Sequence, residues 1–374
     1  YPFDELCGCG VGFKLIQALG SKRNQTIKDF LPYLDLVATA IAADIVPMNG
    51  ENRVLAYFGL QVINENPRNG IKAIIHQIKK KELTITDVVF IIAPRINAAG
   101  RMKHGNYAVE LLTEMDFDAA LEFAAAIEIF NADRKDLDKK ITDEALIQII
   151  DNNEEQRFTT VVYYENWHKG VIGIVASRLI EKYYRPTLVF TKSGDKLAAS
   201  ARSVKGFDVY NALKDCEEFI EQFGGHKYAA GLTLLSENYE NFKNKFEEVV
   251  SKTIDKELLI PEIAIDAEVE LNEITPKFFR IIQQMAPFGP QNMRPVFKST
   301  CIRDNGYGKK VGKEQTHLKL NVFQGDNKQT FGAIGFNLGE KMEFVQDEFD
   351  IVYALDENEW NGYKSIQLVL KDIK

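Results

Sequence analysis

Residues 118–150 read DAALEFAAAIEIFNADRKDLDKKITDEALIQII, a stretch without proline or glycine. Its apolar side chains recur at helical spacing, and Asp118 is a residue type that often caps a helix N-terminus. A continuous helix of this length would measure about 50 Å. A long core helix is one interpretation, but polar residues dominate the middle of the stretch, at 131–140. We therefore interpret it as a connector helix between two domains.

Residues 1–117 precede the connector and alternate helical and strand-like patterns. Helices are expected at 12–19 and 71–78. Residues 36–43 form a near-continuous apolar run, and residues 88–93 have the β-branched composition of a short buried strand. This alternation predicts the α/β fold class, with a mostly parallel sheet.

Residues 151–260 follow the connector and form a second predicted α/β domain, in which Gly170 and Gly173 suggest a closely packed helix. Strands are expected at 159–164, 187–191 and 196–201, and helices at 170–182 and 210–222.

Residues 261–374 change to an all-β pattern after Pro261. Asn361-Gly362 is a typical hairpin turn between the last two predicted strands. Short strands at this density predict a small barrel such as an OB-fold. Strands are expected at 263–271, 296–302, 317–323, 330–336, 350–355 and 365–370. The chain thus divides into residues 1–117, 118–150, 151–260 and 261–374.

Charge and cysteine content limit the classes of protein. The chain has 46 Lys and Arg against 54 Asp and Glu, a net charge of -8. This balance argues against a nucleic-acid-binding protein, although cationic groups can be concentrated in one groove. No apolar run is long enough for a membrane span. The four cysteines lack the spacing of a disulfide framework or a zinc site, so we interpret them as buried free thiols of a cytoplasmic protein.

The amino terminus, Tyr1-Pro2-Phe3-Asp4, has neither the basic start nor the apolar core of a signal peptide, and it has no initiating Met. We therefore expect a fragment or a processed product.

A first candidate site is Arg95-Ile96-Asn97-Ala98-Ala99-Gly100-Arg101, directly after the predicted strand at 88–93. Open sheets bind ligands at the carboxyl ends of their strands. Guanidinium forks match phosphate oxygens, and small residues let a backbone approach closely. The motif therefore suits a phosphate, and a structural ion pair explains its two arginines equally well.

Two further motifs also suit an oxyanion. In Gly224-Gly225-His226-Lys227-Tyr228-Ala229-Ala230-Gly231 the glycines permit amides that point at an anion, and the His and Lys add donors. Ser200-Ala201-Arg202-Ser203, followed by Lys205, places hydroxyl, guanidinium and ammonium groups at the end of a predicted strand. A plain Gly-Gly turn and a solvated turn are the respective alternatives. Three such motifs in one chain favour phosphate binding.

One carboxylate, Asp44, ends the apolar run at 36–43. A buried carboxylate without a partner is costly, so Asp44 is expected to be paired, hydrogen-bonded or bound to a metal ion. His168 is interpreted as a helix-start or core-edge histidine and not as a metal ligand, because no second metal ligand lies near it in the sequence.

Together these motifs resemble the RecJ family of the DHH phosphoesterase superfamily. The resemblance extends in one order over almost the whole chain, from residues 1–44 through the three motifs to the OB-like end. It implies a partial DHH domain with a parallel sheet, the connector helix, an α/β DHH-associated domain and an all-β OB-like barrel.

The resemblance also implies an activity. RecJ-like enzymes are single-stranded-DNA-specific 5′→3′ exonucleases of DNA repair and recombination that hydrolyse phosphodiester bonds with two manganese or magnesium ions. Asp44 matches the last catalytic, metal-binding aspartate of the family. The Asp-rich and Asp-His-His motifs that supply the other ligands do not occur in this sequence. We therefore expect residues 1–374 alone to be inactive.

The implied ligands and partners follow from the same resemblance. The OB-like domain would contact single-stranded DNA, and a solvated loop explains its lysines equally well. A single-strand-binding protein or a helicase is a candidate partner, and a monomer is expected. Phosphate ligands would be Arg95, Asn97, Arg101, Ser200, Arg202, Gly224, Gly225 and His226, and DNA-binding residues would be Lys205, Lys227, Tyr307, Lys309, Lys310 and Lys313.

Two rival interpretations stay open. A shorter DHH phosphoesterase acting on oligoribonucleotides or small phosphate esters would share the Gly224 motif but typically lacks the connector and the OB-like end. A non-catalytic DNA-binding scaffold would share the architecture without the metals. Intact Asp-rich and Asp-His-His motifs upstream would identify an enzyme.

Overall fold

The computed structural model describes residues 1–76, 78–326 and 329–374, except for the side chain of Trp360. The chain divides into two compact units. One comprises Tyr1–Pro67, Lys79–Phe90 and Ile263–Lys374, and the other Arg68–Ile78 and Ile91–Glu262. The domain boundaries drawn from the sequence stay predictions. Within the described residues, no helix combines the length and the apolar character that a membrane crossing requires.

Before residue 160, the regular secondary structure of the described residues is entirely helical. Short 3-10 helices at Ile27–Asp29 and Leu31–Tyr33 and a π-helix at Val88–Ile92 accompany the α-helices. The α-helices are α1 (Gly8–Ser21), α2 (Leu34–Asp44), α3 (Gly50–Glu65), α4 (Asn69–Ile75), α5 (Ile85–Asp87), α6 (Ala93–Met102), α7 (Asn106–Thr113) and α8 (Phe117–Asp151).

The parallel sheet predicted for residues 1–117 and the strand predicted at 88–93 are therefore wrong for the described residues. Thr84 and Asp87 form a capping box, which starts a helix just before the β-branched run. Pro94 follows within the same helical stretch, directly after the π-helix at Val88–Ile92, where the ordinary α-helical hydrogen-bond pattern is already interrupted. The helix-start signal of the capping box outweighs the β-propensity of the apolar run.

The predicted long helix is confirmed as α8, which has 35 residues. Its N-cap is Asp116 and not Asp118, because the Asp116 carboxylate accepts from Ala119 N–H at 2.9 Å. The polar middle of α8 is partly buried, since Asn131 and Asp138 are both inaccessible to solvent.

The second unit contains a five-stranded sheet with the strand order β1-β2-β3-β5-β4. Strands β1 and β2 are parallel and the other neighbours are antiparallel, which confirms a mixed α/β fold. The helix predicted at 210–222 ends early, so Gly224-Gly225-His226 lies in a strand and not in a turn. The elements are β1 (Thr160–Tyr163), α9 (Ile172–Tyr183), β2 (Thr187–Ser193), β3 (Lys196–Arg202), α10 (Val209–Lys214), β4 (Gln222–His226), β5 (Ala229–Leu235) and α11 (Tyr239–Thr253).

The carboxyl-terminal residues form a seven-stranded sheet that β7–β9 pairing closes into a barrel-like arrangement. The Asn361-Gly362 hairpin is confirmed, with Trp360 and Tyr363 as register partners and positive φ angles of 51° and 81° at the turn. Helix α12 and strand β8 were not predicted, and β6 is much shorter than predicted. The elements are β6 (Ala267–Glu268), α12 (Pro276–Gln284), β7 (Val296–Asp304), β8 (Lys309–Val311), β9 (His317–Gln324), β10 (Phe331–Gly335), β11 (Phe349–Trp360) and β12 (Tyr363–Ile373).

Candidate phosphate-binding site

One row of register partners crosses the five-stranded sheet: Val162, Val189, Ser200, Gly231 and Gly224. Register partners present their side chains to the same face of a sheet. The two valines pack in the core that α8 and α9 cover. The same face is therefore covered over β1 and β2, polar at β3 and without side chains at the two glycines.

A parallel row two residues along places Arg202, Ala229 and His226 on the same face. The sequence motifs of β3 and β4 therefore lie on the same face of the sheet, separated by β5. Because neighbouring strands are about 4.8 Å apart, the backbones of Arg202 and His226 are separated by about 10 Å. Arg202 and His226 border a floor of glycine and alanine.

The start of α9 packs directly against Ser200 and Arg202. A Cβ added at Gly173 would lie 2.9 Å from Ser200 Oγ and 2.9 Å from Arg202 Nη2. The side chain of Arg202 is held in place by hydrogen bonds from Nη1 to Ser200 Oγ at 3.0 Å and to the Ala201 carbonyl at 2.8 Å. A helix N-terminus beside a guanidinium is a favourable environment for an anion.

Arg101 reaches the same region from α6. Its Nη1 donates to the Gly170 carbonyl at 3.1 Å, and a Cβ at Gly170 would lie only 2.2 Å from the Arg101 carbonyl oxygen. Burial lowers the pKa of Arg202, and the positive charge of Arg101 lowers it further. The close packing suggested by Gly170 and Gly173 is therefore what brings these two arginines together.

The remaining predicted phosphate residues are placed differently. Arg95 forms an ion pair with Glu128, with 2.5 Å between Nε and Oε2, and its Nη1 donates to the Ile91 carbonyl at 2.7 Å. These contacts favour the structural alternative for Arg95, whose role as a phosphate ligand stays a prediction. Asn97 is exposed on α6. Gly224, Gly225 and His226 are exposed on β4, and His226 Nδ1 accepts from Tyr228 N–H at 3.3 Å.

Two charged residues were missed by the sequence analysis. Arg134 lies on α8, and the charge of Arg101 acts on it. Arg178 lies on α9 and pairs with Asp138 of α8 at 2.8 Å. Residues 131, 134 and 138 form a polar stripe at helical intervals, and this signal could have identified Arg134. No comparable sequence signal marks Arg178.

Asp44, the predicted metal ligand, is the last residue of α2 and is exposed. The expectation of a buried carboxylate is therefore wrong, since the helix ends here and Ile45 turns the chain in the left-handed region. Its charge contributes, after burial, to raising the pKa of the Cys7 thiol. Within the described residues, no group of three or more His, Cys, Asp or Glu is placed to hold a metal ion.

The predicted DNA-binding residues of the last domain lie on the β7–β8 loop (Tyr307), on β8 (Lys309 and Lys310) and between β8 and β9 (Lys313). Asp304 fixes this loop by accepting from Gly306 N–H at 2.9 Å and Gly308 N–H at 2.8 Å, which leaves Tyr307 76% exposed. Lys309 is the register partner of Lys319 on β9. Like charges directly opposite repel each other, so this edge is suited to an anionic ligand. Lys310 and Lys313 are exposed beside it.

The other two predicted DNA-binding residues, Lys205 and Lys227, lie in residues 151–260. Lys205 is exposed in the turn after β3, and Lys227 is exposed with its Nζ 5.6 Å from the ring centre of Tyr228.

The expectation that all four cysteines are buried is wrong, because Cys9 and Cys301 are exposed.

Comparison with known proteins gives two family matches. The DHHA1 domain matches residues 156–252, and the RecJ OB domain matches residues 265–372. The expected order of a DHH-associated domain followed by an OB-like domain is thereby confirmed.

Curated relatives match the chain over its whole length. The single-stranded-DNA-specific exonucleases RecJ of Bacillus subtilis (strain 168) and Haemophilus influenzae are 35% and 31% identical to it, over 380 and 396 residues. Both alignments cover 100% of this chain, together with 47% of the Bacillus protein and 68% of the Haemophilus protein. The chain thus spans about half the length of the first relative and about two thirds of the second.

Solved structures of RecJ from Thermus thermophilus have a similar fold. The complex with Mn²⁺ superposes with a TM-score of 0.83 at 27% identity and covers 98% of this chain and 52% of that one. The complex with Mg²⁺ gives 0.82 at 25% identity, with coverages of 100% and 57%. Sequence and fold agree, and the chain belongs to the RecJ family.

Proposed function

We propose that this chain is part of a 5′→3′ exonuclease that hydrolyses single-stranded DNA in DNA repair and recombination. The observation that carries the proposal is that Arg101 and Arg202 both reach the start of α9: Arg101 donates to the Gly170 carbonyl, and Arg202, held by Ser200 Oγ, lies against Gly173. Two close guanidinium groups repel each other unless an anion lies between them. A backbone phosphate of DNA supplies that anion.

Each residue has a separate task in this proposal. The Arg202 fork binds the phosphate oxygens, and Ser200 Oγ orients the fork. Arg101 adds a second positive charge, and Gly224 and Gly231 let the strand approach the sheet backbone. His226 on β4 lies at the side of the site opposite Arg202. Holding the strand end in one position is how a protein makes the reacting bond available for attack.

The proposed cofactor is a pair of manganese or magnesium ions, which would activate water and stabilise the leaving oxygen. Asp44 offers an exposed oxygen donor of the kind that both ions prefer. One carboxylate does not make a two-ion site, and the described residues bring no further ligands together. We therefore assign Asp44 one ligand position and derive no step through the ions. Inactivity of residues 1–374 alone stays a prediction.

The OB domain is proposed to bind single-stranded DNA. Tyr307 presents a free aromatic face for stacking on a base, and the lysines of β8 and β9 attract the backbone. A cytoplasmic location, a monomeric state and an interaction with a single-strand-binding protein or a helicase belong to the same proposal. An oligoribonuclease and a non-catalytic scaffold stay as alternatives.

Nuclease assays on the full-length protein test the proposal. With Mn²⁺ present, wild type should digest single-stranded DNA from the 5′ end and leave duplex DNA intact. D44N should be inactive because it loses a metal ligand, and R202Q should be slower. K182Q, which removes an exposed charge from α9, should match wild type. Equal digestion of duplex, faster digestion of oligoribonucleotides, or wild-type activity in D44N would contradict the proposal.

A further inference from the structure

The middle of α8 carries a polar face with no role in the site proposed so far. Asn131, Arg134 and Asp138 are three and four residues apart, so they lie on one side of the helix. Asn131 and Asp138 are 0% and 1% exposed. Buried polar side chains cost free energy unless partners satisfy their hydrogen bonds. Each of the three should therefore have a partner.

Asp138 has its partner in Arg178 on α9. Arg178 Nε donates to the two carboxylate oxygens at 2.8 and 2.9 Å, and Nη2 lies 2.8 Å from Oδ2. This forked pair joins the two helices. Arg178 thus engages both oxygens, and within the described chain Arg134 forms no ion pair of its own.

Arg134 and Asn131 hold donors that lack acceptors. Asn131 Oδ1 accepts from Arg134 Nη2 at 3.2 Å, which orients the guanidinium. Asn131 Nδ2 and Arg134 Nε are buried without a hydrogen-bond partner in the described part of the chain. Burial lowers the pKa of Arg134, and the charges of Arg101 and Arg178 lower it further, against the attraction of Asp138. An oxyanion would satisfy these donors and offset the positive charge.

We propose that Arg134, oriented by Asn131, is a further phosphate ligand beside Arg101. The inference rests on the proposed function, because it assumes that a nucleic-acid phosphate is bound at that site. Helix α8 then has a second role besides linking the elements at its two ends, since it contributes a direct contact to the bound strand.

A ligand role and a structural role predict opposite effects on stability. Without phosphate, the charge of Arg134 is repelled by neighbouring guanidinium groups, so a neutral glutamine should leave the Tm unchanged or raise it. An arginine with a structural role would lose packing and hydrogen bonds on replacement, and the Tm would fall.

The experiment measures the Tm of the 374-residue chain across a series of inorganic phosphate concentrations, with ionic strength kept constant by chloride. A ligand that binds the folded state raises the Tm with concentration. Wild type and K135Q, which removes an exposed charge from the same helix, should respond equally. R134Q should need about tenfold more phosphate for the same shift, as expected for the loss of a charge-assisted contact. A full phosphate response in R134Q overturns the inference.

A lower Tm of R134Q without phosphate would show that Arg134 also has a structural role, and a second measurement then tests the ligand role by itself. Anisotropy titration of a 5′-phosphorylated oligonucleotide, well below both melting transitions, should show about tenfold weaker binding by R134Q. Unchanged affinity overturns the inference. The R202Q variant distinguishes a failure of the proposed function from a failure of the inference about Arg134. No phosphate response in wild type contradicts the proposed function itself, whereas a response lost in R202Q and kept in R134Q contradicts this inference alone.

Discussion

The guanidinium of Arg202 on β3 lies within the electrostatic influence of Arg101 on α6, and its pKa is lowered by burial and then by that neighbouring charge. Arg202 donates a hydrogen bond to Ser200 Oγ, and Arg101 donates one to the Gly170 carbonyl. Neither forms an ion pair within the described residues. The protein therefore holds two like charges together, which is the expected arrangement for a site that binds a multiply charged anion.

A matched pair of glycine variants tests the floor of the site. A Cβ at Gly224 would meet nothing within 4 Å, whereas a Cβ at Gly225 would lie 2.3 Å from the Ala229 carbonyl oxygen, at a φ of 152°. G224A should leave the Tm unchanged, and G225A should destabilise the chain by about 1–3 kcal/mol. Thermal melts measure both values. A G224A variant as unstable as G225A would contradict the described strand geometry.

The larger change G224V should fold and still weaken phosphate binding, because its side chain occupies the glycine floor on β4, next to Gly231. Anisotropy titration with a phosphorylated oligonucleotide measures the effect, and G224A serves as the control that adds only a methyl group. Wild-type affinity in G224V would mean that the strand does not approach β4.

Arg185 is expected to be structural and not part of the site. It is 3% exposed, and it donates to the Glu154, Glu155 and Arg157 carbonyls and to Thr160 Oγ1 at 2.6–3.0 Å. R185M should lower the free energy of unfolding by about 3–5 kcal/mol, since about four hydrogen bonds are lost. Urea denaturation measures this loss. A decrease below about 1 kcal/mol would show that the network contributes little.

Thiol reactivity should divide the cysteines into two pairs. Burial raises the pKa of Cys216 to about 12, and burial also raises that of Cys7. Because the thiolate is the reactive form, both should resist alkylation at pH 8, while the exposed Cys9 and Cys301 react. Mass spectrometry after a short iodoacetamide pulse locates the label. Rapid labelling of Cys216 in the native chain would contradict its burial.

Asp87 should make stability depend on pH in the acid range. Burial alone would raise its pKa, but hydrogen bonds from Lys80 and Thr84 outweigh burial and lower it. The stabilisation is therefore present above the usual pKa of an aspartate and is lost as pH falls through the lowered folded-state value. D87N should be less stable at pH 7 by about 1 kcal/mol, as for loss of a helix cap. Urea denaturation at several pH values should show this difference shrinking below pH 4, and a constant difference would contradict the assignment.

Local sequence patterns correctly predicted the helices and strands for which residue spacing, turn residues and the absence of helix breakers all favour the same structure. Residues 118–150 have helical spacing and no helix breaker, and α8 covers them. The Asn361-Gly362 turn supplies the two positive φ angles that the β11–β12 hairpin needs. By contrast, the apolar run at 88–93 suits a strand or a buried helix, and the capping box at Thr84 decides for the helix.

The site was predictable in its parts and not in its geometry. Ser200, Arg202 and His226 could be recognised by type, but only the strand register shows that they share one face. Arg134 escaped notice because a charged residue in a helix is usually solvated, and its position beside Arg101 depends on tertiary packing. Asp44 was expected to be buried because it follows an apolar run, whereas the end of α2 exposes it.

The central claim is that Arg202 and its neighbours bind a phosphate at the 5′ end of single-stranded DNA. Its most direct test is the affinity of wild type and R202Q for one oligonucleotide with a 5′-phosphate or a 5′-hydroxyl, measured by anisotropy with EDTA present. Wild type should prefer the phosphorylated strand by about tenfold or more, and R202Q should lose that preference while binding the hydroxyl form almost normally. Equal affinity of wild type for the two strands, or an undiminished preference in R202Q, would contradict the account.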